Sequence, residues 1–232
     1  MVSSLENILT EQDLWISIAQ MLLVTGPLFG FIFGAICFYR KKAAFFNQLV
    51  VSALGCMMLG RIYELVFWLT AGNLPEGFDL SVLGDVGCFL FLLSASFGQM
   101  DGLVDGREKK DVKYRLIPLA APALILAAGV FLYLHKNDIS VIFSDLIIFA
   151  VTMVSSYYNL KHLIFPDVDF GILKSIRGYN ALTLGGTLSF VLLCVGEEIG
   201  NLTLFGIGAL LTGLWAFAVI PVLKGGSRKW TL

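Results

Sequence analysis

Charge is what this sequence has least of. Asp, Glu, Lys and Arg make up 14% of its 232 residues, where soluble domains average about 25%. That shortage excludes an ordinary water-soluble fold of this size, which needs a polar surface the chain cannot supply. Histidine is nearly missing. His135 and His162 fall at helix ends expected on opposite faces of a membrane, so the clustered ligands of a metal-dependent intramembrane hydrolase are absent, and neither lies near an obvious buried serine that it could activate. The four cysteines, Cys37, Cys56, Cys88 and Cys194, sit inside apolar runs without paired spacing. They read as small core residues and give no disulfide framework or zinc site. The last apolar run, residues 202–223, has no lysine to carry a retinal Schiff base. No cofactor, metal or nucleic-acid partner is expected, and enzyme activity is less expected than transport or sensing. Residues 1–13 are polar and acidic, without the basic start of a signal peptide.

What remains is hydrophobic: 57% of the chain, in runs that reach the ~20 residues needed to cross a ~30 Å hydrocarbon layer. The expected fold is an all-α integral membrane protein, one domain over residues 1–232 with seven transmembrane helices, at about 14–39, 43–71, 81–100, 116–134, 139–165, 179–199 and 202–223. Basic residues alternate between the connections. Arg40, Lys41 and Lys42 follow the first span. Arg107, Lys109, Lys110, Lys113 and Arg115 follow the third, Lys161, Lys174 and Arg177 the fifth, and Lys224, Arg228 and Lys229 the seventh. The other connections hold only Lys136. Because cytoplasmic loops collect Lys and Arg, residues 1–13 are expected outside and residues 224–232 in the cytoplasm, in the plasma membrane.

Polar residues are unevenly shared among the spans. The sixth carries Asn180, Thr183, Thr187, Cys194, Glu198 and Asn201 at steps of three, four and seven, which is one helical face. The fifth carries Asp145, Thr152, Ser156 and Asn159; the third Asp85, Cys88, Ser96 and Gln99; the second Asn47, Arg61 and Glu64. The fourth has no such stripe. Hydrocarbon cannot satisfy hydrogen bonds, so spans two, three, five and six should converge on the interior and span four should face lipid. Gly26, Gly30 and Gly34 recur every four residues in span one and should let another helix approach closely. Asn47 and Glu64 are seventeen apart, as are Asn180 and Glu197; Leu49 matches Leu182, and Gly72-Asn73 echoes Gly200-Asn201. A repeat of two three-helix units joined by span four is therefore expected, an architecture used by small carriers. No motif names a family.

Arg61 is the sharpest feature. A charged side chain within a bilayer costs at least about 3 kcal/mol at its centre, and guanidinium stays charged. Glu64 is available on the same helix, but Arg preceding Glu by three is not the favoured order. Arg61 is therefore expected to reach another span, with Glu197 or Glu198 first and Asp145 next. The candidate substrate-binding or coupling residues are Arg61, Glu64, Asp85, Asp145, Glu197, Glu198, Asn47 and Asn180. They imply a polar interior pathway with an acidic outer vestibule suited to a small cationic molecule, and surrounding lipids as the other partner. Two classes remain: a small-solute transporter, or a ligand-sensing receptor without its own output domain.

Orientation is testable by labelling. In a background lacking the native cysteines, Ser3→Cys should react only from outside and Ser227→Cys only from the cytoplasmic side; reaction of both from one side would overturn the topology.

Overall fold

Long apolar runs can shelter their backbone polar groups from hydrocarbon as helices, and helices are what form. In a computed structural model, the described residues are 11–39, 44–73, 75, 77–102, 111–135, 139–166 and 172–227, and among them there are helices and no strand. Seven long helices follow in order: α1 Glu11–Gly34, α2 Phe45–Ala71, α3 Leu80–Leu93, α4 Ala120–His135, α5 Ile139–Ile164, α6 Ile172–Glu198 and α7 Leu202–Ser227. α1 and α3 run on as π-helix, over Ala35–Tyr39 and Ser94–Asp101. A short helix, Val112–Leu116, and a 3₁₀ turn, Ile117–Leu119, lead into α4. Among the described residues, six of the seven, all but α5, are long and apolar enough to cross a membrane; α5 has the length, 26 residues. The expected segment 1–13 and most of the loop basics (Arg40 to Lys42, Arg107 to Lys110, Lys136, Arg228 and Lys229) lie outside the described residues or their side chains.

Most helix bounds fall near those expected. The largest difference is α6, which starts at Ile172 and not at about 179. A helix satisfies its own hydrogen bonds and need not stop where the apolar run stops, so Lys174 and Arg177 belong to its first turns. Lys161 likewise lies inside α5.

Packing arranges six of the helices in a ring in the order α1, α2, α3, α5, α6, α7, with α7 returning to α1. Within it α2 lies between α1 and α3, and α6 between α5 and α7. α4 stands outside and packs mainly on α5. It is the least buried of the six apolar spans, at 22% against 33% or more for the others, and Leu124, Leu126, Val130, Phe131 and Leu134 are exposed. That is the position expected of the helix without a polar face. The interior faces also follow the sequence pattern: Asn47, Asp85, Ser96, Thr152, Ser156, Asn159, Asn180, Thr183 and Thr187 are all buried. Gln99 is a correction, since it is exposed while Met100 is buried. The π-helical segment that begins at Ser94 takes more residues per turn and rotates Gln99 off the face that Asp85, Cys88 and Ser96 share.

Small residues set the closest contacts. The Gly26/Gly30/Gly34 face of α1 meets α7 and α2. A Cβ on Gly26 would lie 2.5 Å from the carbonyl oxygen of Gly213, and one on Gly30 2.6 Å from that of Ala216; one on Gly34 would meet Val51 at 2.6 Å. In lipid, where helices gain little from hiding apolar surface from each other, such backbone proximity is a main source of association.

Gly26→Leu should therefore destabilise the folded protein by about 1–3 kcal/mol, read as a lower unfolding midpoint in detergent. Gly98→Ala, where a Cβ meets nothing within 4 Å, should leave the midpoint unchanged; equal midpoints for both would contradict the packing role.

Candidate functional site

α2 and α3 touch where neither has a side chain. A Cβ on Gly84 would lie 2.7 Å from Gly60 Cα and 2.8 Å from the Cys56 carbonyl oxygen, and one on Gly60 would lie 2.9 Å from that of Ser81. The residues that follow these glycines are Arg61 and Asp85, so the contact brings a guanidinium and a carboxylate to the same level. Asp79 helps fix α3 in register as its N-cap, accepting hydrogen bonds from the amides of Ser81 (2.8 Å) and Val82 (3.1 Å).

Arg61 is 4% exposed. Its Nη1 donates to Glu64 Oε2 and its Nη2 to Asp85 Oδ2. Gln20 of α1 donates from Nε2 to the other oxygen of Glu64. Across the ring, the Phe190 ring of α6 faces the guanidinium at 5.5 Å, a cation–π contact of the kind that strengthens when water is excluded. One buried network thus links α1, α2, α3 and α6. The expected interhelical partner of Arg61, Glu197 or Glu198 with Asp145 next, is corrected to Asp85, and Glu64 is engaged as well. Helix order decided this: the glycine contact places α3 nearer to Arg61 than α6. Glu64 is held from both sides, by Arg61 and Gln20, which offsets the unfavoured order on the helix. Gln20 was not among the expected site residues; its signal was an isolated amide in an otherwise apolar span.

Three buried polar atoms in this network have no hydrogen-bond partner among the described residues: Arg61 Nε, Asp85 Oδ1 and Gln20 Oε1. Buried polar groups usually find a partner, so the network has spare capacity for one acceptor and two donors. Glu197 is half-buried at the end of α6, within electrostatic reach of Glu64, Arg61, Glu198 and Asp145. Its carboxylate makes no hydrogen bond or ion pair with any described residue. It lines a cavity of about 210 Å³ with Ile16 of α1, Gly200, Asn201 and Phe205. Asp145 and Glu198 are half-buried beside it. Arg61, Glu64, Asp85 and Glu197 are thus brought together, with carboxylates outnumbering the guanidinium.

Asn47 and Asn180 belong to a different level. Asn47 stands fourteen residues before Arg61, about 21 Å along the helix at 1.5 Å per residue. Both are buried, with Asn47 Oδ1 and Asn180 Nδ2 unpartnered among the described residues. Their neighbours Phe46 and Tyr179 meet edge to face with ring centroids 5.3 Å apart. Phe46 and Tyr179 are 133 positions apart, as are Asn47 and Asn180, and Glu64 and Glu197. The buried positions between them keep the same offset: Val50 with Thr183, Leu54 with Thr187, Met57 with Phe190 and Arg61 with Cys194. Even the tight interhelical contacts correspond, since Gly60 meets α3 and Leu193, again 133 positions on, meets Gly208 of α7. Gly72 and Gly200, the two left-handed residues just past α2 and α6, are 128 apart, so the offset changes by five beyond the carboxylates.

A second ionic group lies where α3 and α5 end. Lys161 Nζ donates to Asp101 Oδ1 at 2.6 Å, and His162 Nε2 lies 3.4 Å from the same oxygen. Lys161 is 4% exposed and His162 fully buried, with its Nδ1 unpartnered among the described residues. The Tyr158 ring flanks both, 5.8 Å from Lys161 Nζ and 6.1 Å from the His162 ring. Sequence reasoning assigned Asp101 and Lys161 to loops and missed this group.

Comparison with family models, with curated proteins and with solved structures finds no match. The bundle has the length and apolarity of a multi-pass membrane protein, and its chemistry has to be read from its own residues.

Removing one member of the Arg61 network should cost about 3–5 kcal/mol, the usual penalty for leaving a buried charge unpaired. Asp85→Ala should therefore lower the unfolding midpoint in detergent strongly, and Arg61→Met combined with Glu64→Gln and Asp85→Leu should recover most of the loss. An Asp85→Ala midpoint equal to wild type would show that the ion pair does not hold α2 to α3.

Proposed function

We propose that this protein is a seven-span carrier of a small solute in the plasma membrane, with residues 1–13 outside and 224–232 in the cytoplasm. It is built from two three-helix units, α1–α3 and α5–α7, joined by α4. The observation that carries this reading is the facing of α2 and α6 across the interior at a constant offset. Residues equivalent under a two-fold rotation touch each other only near its axis, and Phe46 and Tyr179 touch. Glu64 and Glu197 stand within electrostatic reach at the other end of the same two helices. Repeats related by an axis along the membrane normal are one of the carrier architectures, with substrate handled at their interface and access switched by rocking one unit against the other.

In this carrier the outer level, Arg61, Glu64, Asp85 and Glu197 with Glu198 and Asp145 nearby, is the vestibule. Its balance of charge favours a cation. Arg61 positions Glu64 and Asp85 and lowers the cost of their burial; Glu197 is the carboxylate left to meet the solute. The inner level, Asn47 and Asn180, offers amides to the same solute on the cytoplasmic side. A receptor is the second reading, and one observation favours it: Val50, Leu54, Met57, Phe89 and Phe190 are fully buried between the two levels and leave an apolar, closed stretch. In a carrier that stretch is the closed gate of one state; in a receptor it is permanent.

Flux separates them. In phosphatidylcholine vesicles the purified protein should move small organic cations such as tetramethylammonium, and Glu197→Gln should slow the movement at least tenfold while the protein still folds. Binding of these cations without flux of any would identify a receptor and overturn the carrier.

A further inference from the structure

α1 and α7 are pressed together halfway along. The contact is backbone on backbone: a Cβ on Gly213 would lie 2.9 Å from the Leu22 carbonyl oxygen, and one on Gly26 would lie 2.5 Å from that of Gly213. Before this contact on α1, from Trp15 to Leu22, and along α7 from Leu202 to Leu210, the two helices border a groove of about 430 Å³. Its walls are apolar apart from Thr203. The α7 wall spans nine residues, eight steps of 1.5 Å or about 12 Å.

At its head the groove borders the 210 Å³ cavity, because Leu202 lines both. That cavity holds Glu197, whose carboxylate has no partner among the described residues. The two spaces adjoin at Leu202, with a carboxylate in one and hydrocarbon walls around the other. Asn201 stands at the junction, with its Oδ1 occupied in capping α7 through the amides of Thr203 and Leu204, each at 3.1 Å. No Lys, Arg or His lines either space among the described residues.

We infer that the groove between α1 and α7, with the adjoining cavity, is a lateral binding site for a single-chain amphiphile with a cationic head, its ammonium group at Glu197 and its alkyl chain in the groove. An isolated cation would leave the apolar walls empty, and a neutral chain would leave Glu197 without a counter-charge. A phospholipid would bring a phosphate beside Glu197 and Glu198 with no basic side chain to meet it, a like-charge placement that costs affinity. The carboxylate selects the head, and the groove, with walls as apolar as lipid tails, accommodates the chain. The inference deepens the proposed function by naming the class of solute, and rests on its assignment of Glu197 as the free carboxylate. The site opens toward lipid, so its ligand enters from the membrane.

Trp15 lines the groove and reports on it directly. Full-length protein in phosphatidylcholine nanodiscs is titrated with decyltrimethylammonium brominated at the chain end, whose bromine quenches tryptophan by contact. Saturable quenching is expected, and Trp15→Phe should remove it. Glu197→Gln should weaken binding at least tenfold. Gly206→Leu should do the same by filling the groove, and this variant should fold, because a Cβ on Gly206 meets nothing within 4 Å. A brominated decyl maltoside should give only weak, non-saturating quenching. Equal saturation by the maltoside, or an unchanged affinity in Glu197→Gln, would show an ordinary lipid contact and overturn the site. Equal competition by phosphatidylethanolamine would overturn the exclusion of phospholipid. The assay needs no transport, so saturable binding without flux sustains this site while overturning the carrier.

Discussion

Everything in the interior is arranged around keeping one guanidinium charged where water is scarce. Arg61 does not lose its proton, so its burial at 4% exposure requires acceptors already in place. Glu64 and Asp85 supply them, Gln20 completes Glu64, and Phe190 faces the cation from α6. Burying two carboxylates is itself expensive, and each is tolerable only because the guanidinium is present. The network is therefore all or none, and it holds α1, α2 and α3 as one unit. Toward α6 the guanidinium meets the Phe190 ring and lies within electrostatic reach of Glu197. The hydrogen-bonded members of this network all lie within one triplet; a separate ion pair, Lys161 with Asp101, joins α5 to the end of α3.

The glycines make the network possible. Charged groups on neighbouring helices pair with good geometry only when the backbones come close and in register, and Gly60 and Gly84 achieve both. The same device appears at Gly26 against Gly213 and at Leu193 against Gly208. These contacts tie α1 to α7 and α6 to α7, whereas the groove above Gly213 remains open.

The sequence pattern made the helices legible, together with the polar faces of α2, α3, α5 and α6 and the exposed position of α4. These depend on periodicity and composition, which act locally. Partner choice was not legible in the same way. Whether Arg61 meets Asp85 or Glu197 depends on which helix is its neighbour, and ring order is a property of the whole bundle. Gln99 was misplaced because a π-helical segment changes the residues per turn without any marker in composition. Lys161 read as a cytoplasmic loop charge because a lysine three residues from a helix end gives the same signal whether it faces water or a buried Asp101. The matching of Glu64 with Glu197 was visible as a spacing; that Phe46 and Tyr179 meet was not, because contact across the interior needs the third dimension.

The place of α4 follows from counting crossings. Three spans leave the chain on the membrane face opposite to the one where it began. A second triplet can repeat the direction of the first only after one more crossing, and that helix has no counterpart to pair with in either unit. In the proposed architecture α4 is this crossing. It needs no polar face, since nothing in the interior is its to complete, and it must not enter the ring, where a seventh member would separate α3 from α5. Lipid is then its solvent on most sides, which fits its leucine-, valine- and phenylalanine-covered surface. The apolarity of α4 and the polarity of α2 and α6 are thus two consequences of one arrangement: the helices facing the axis carry the chemistry, and the helix that only returns the chain carries none.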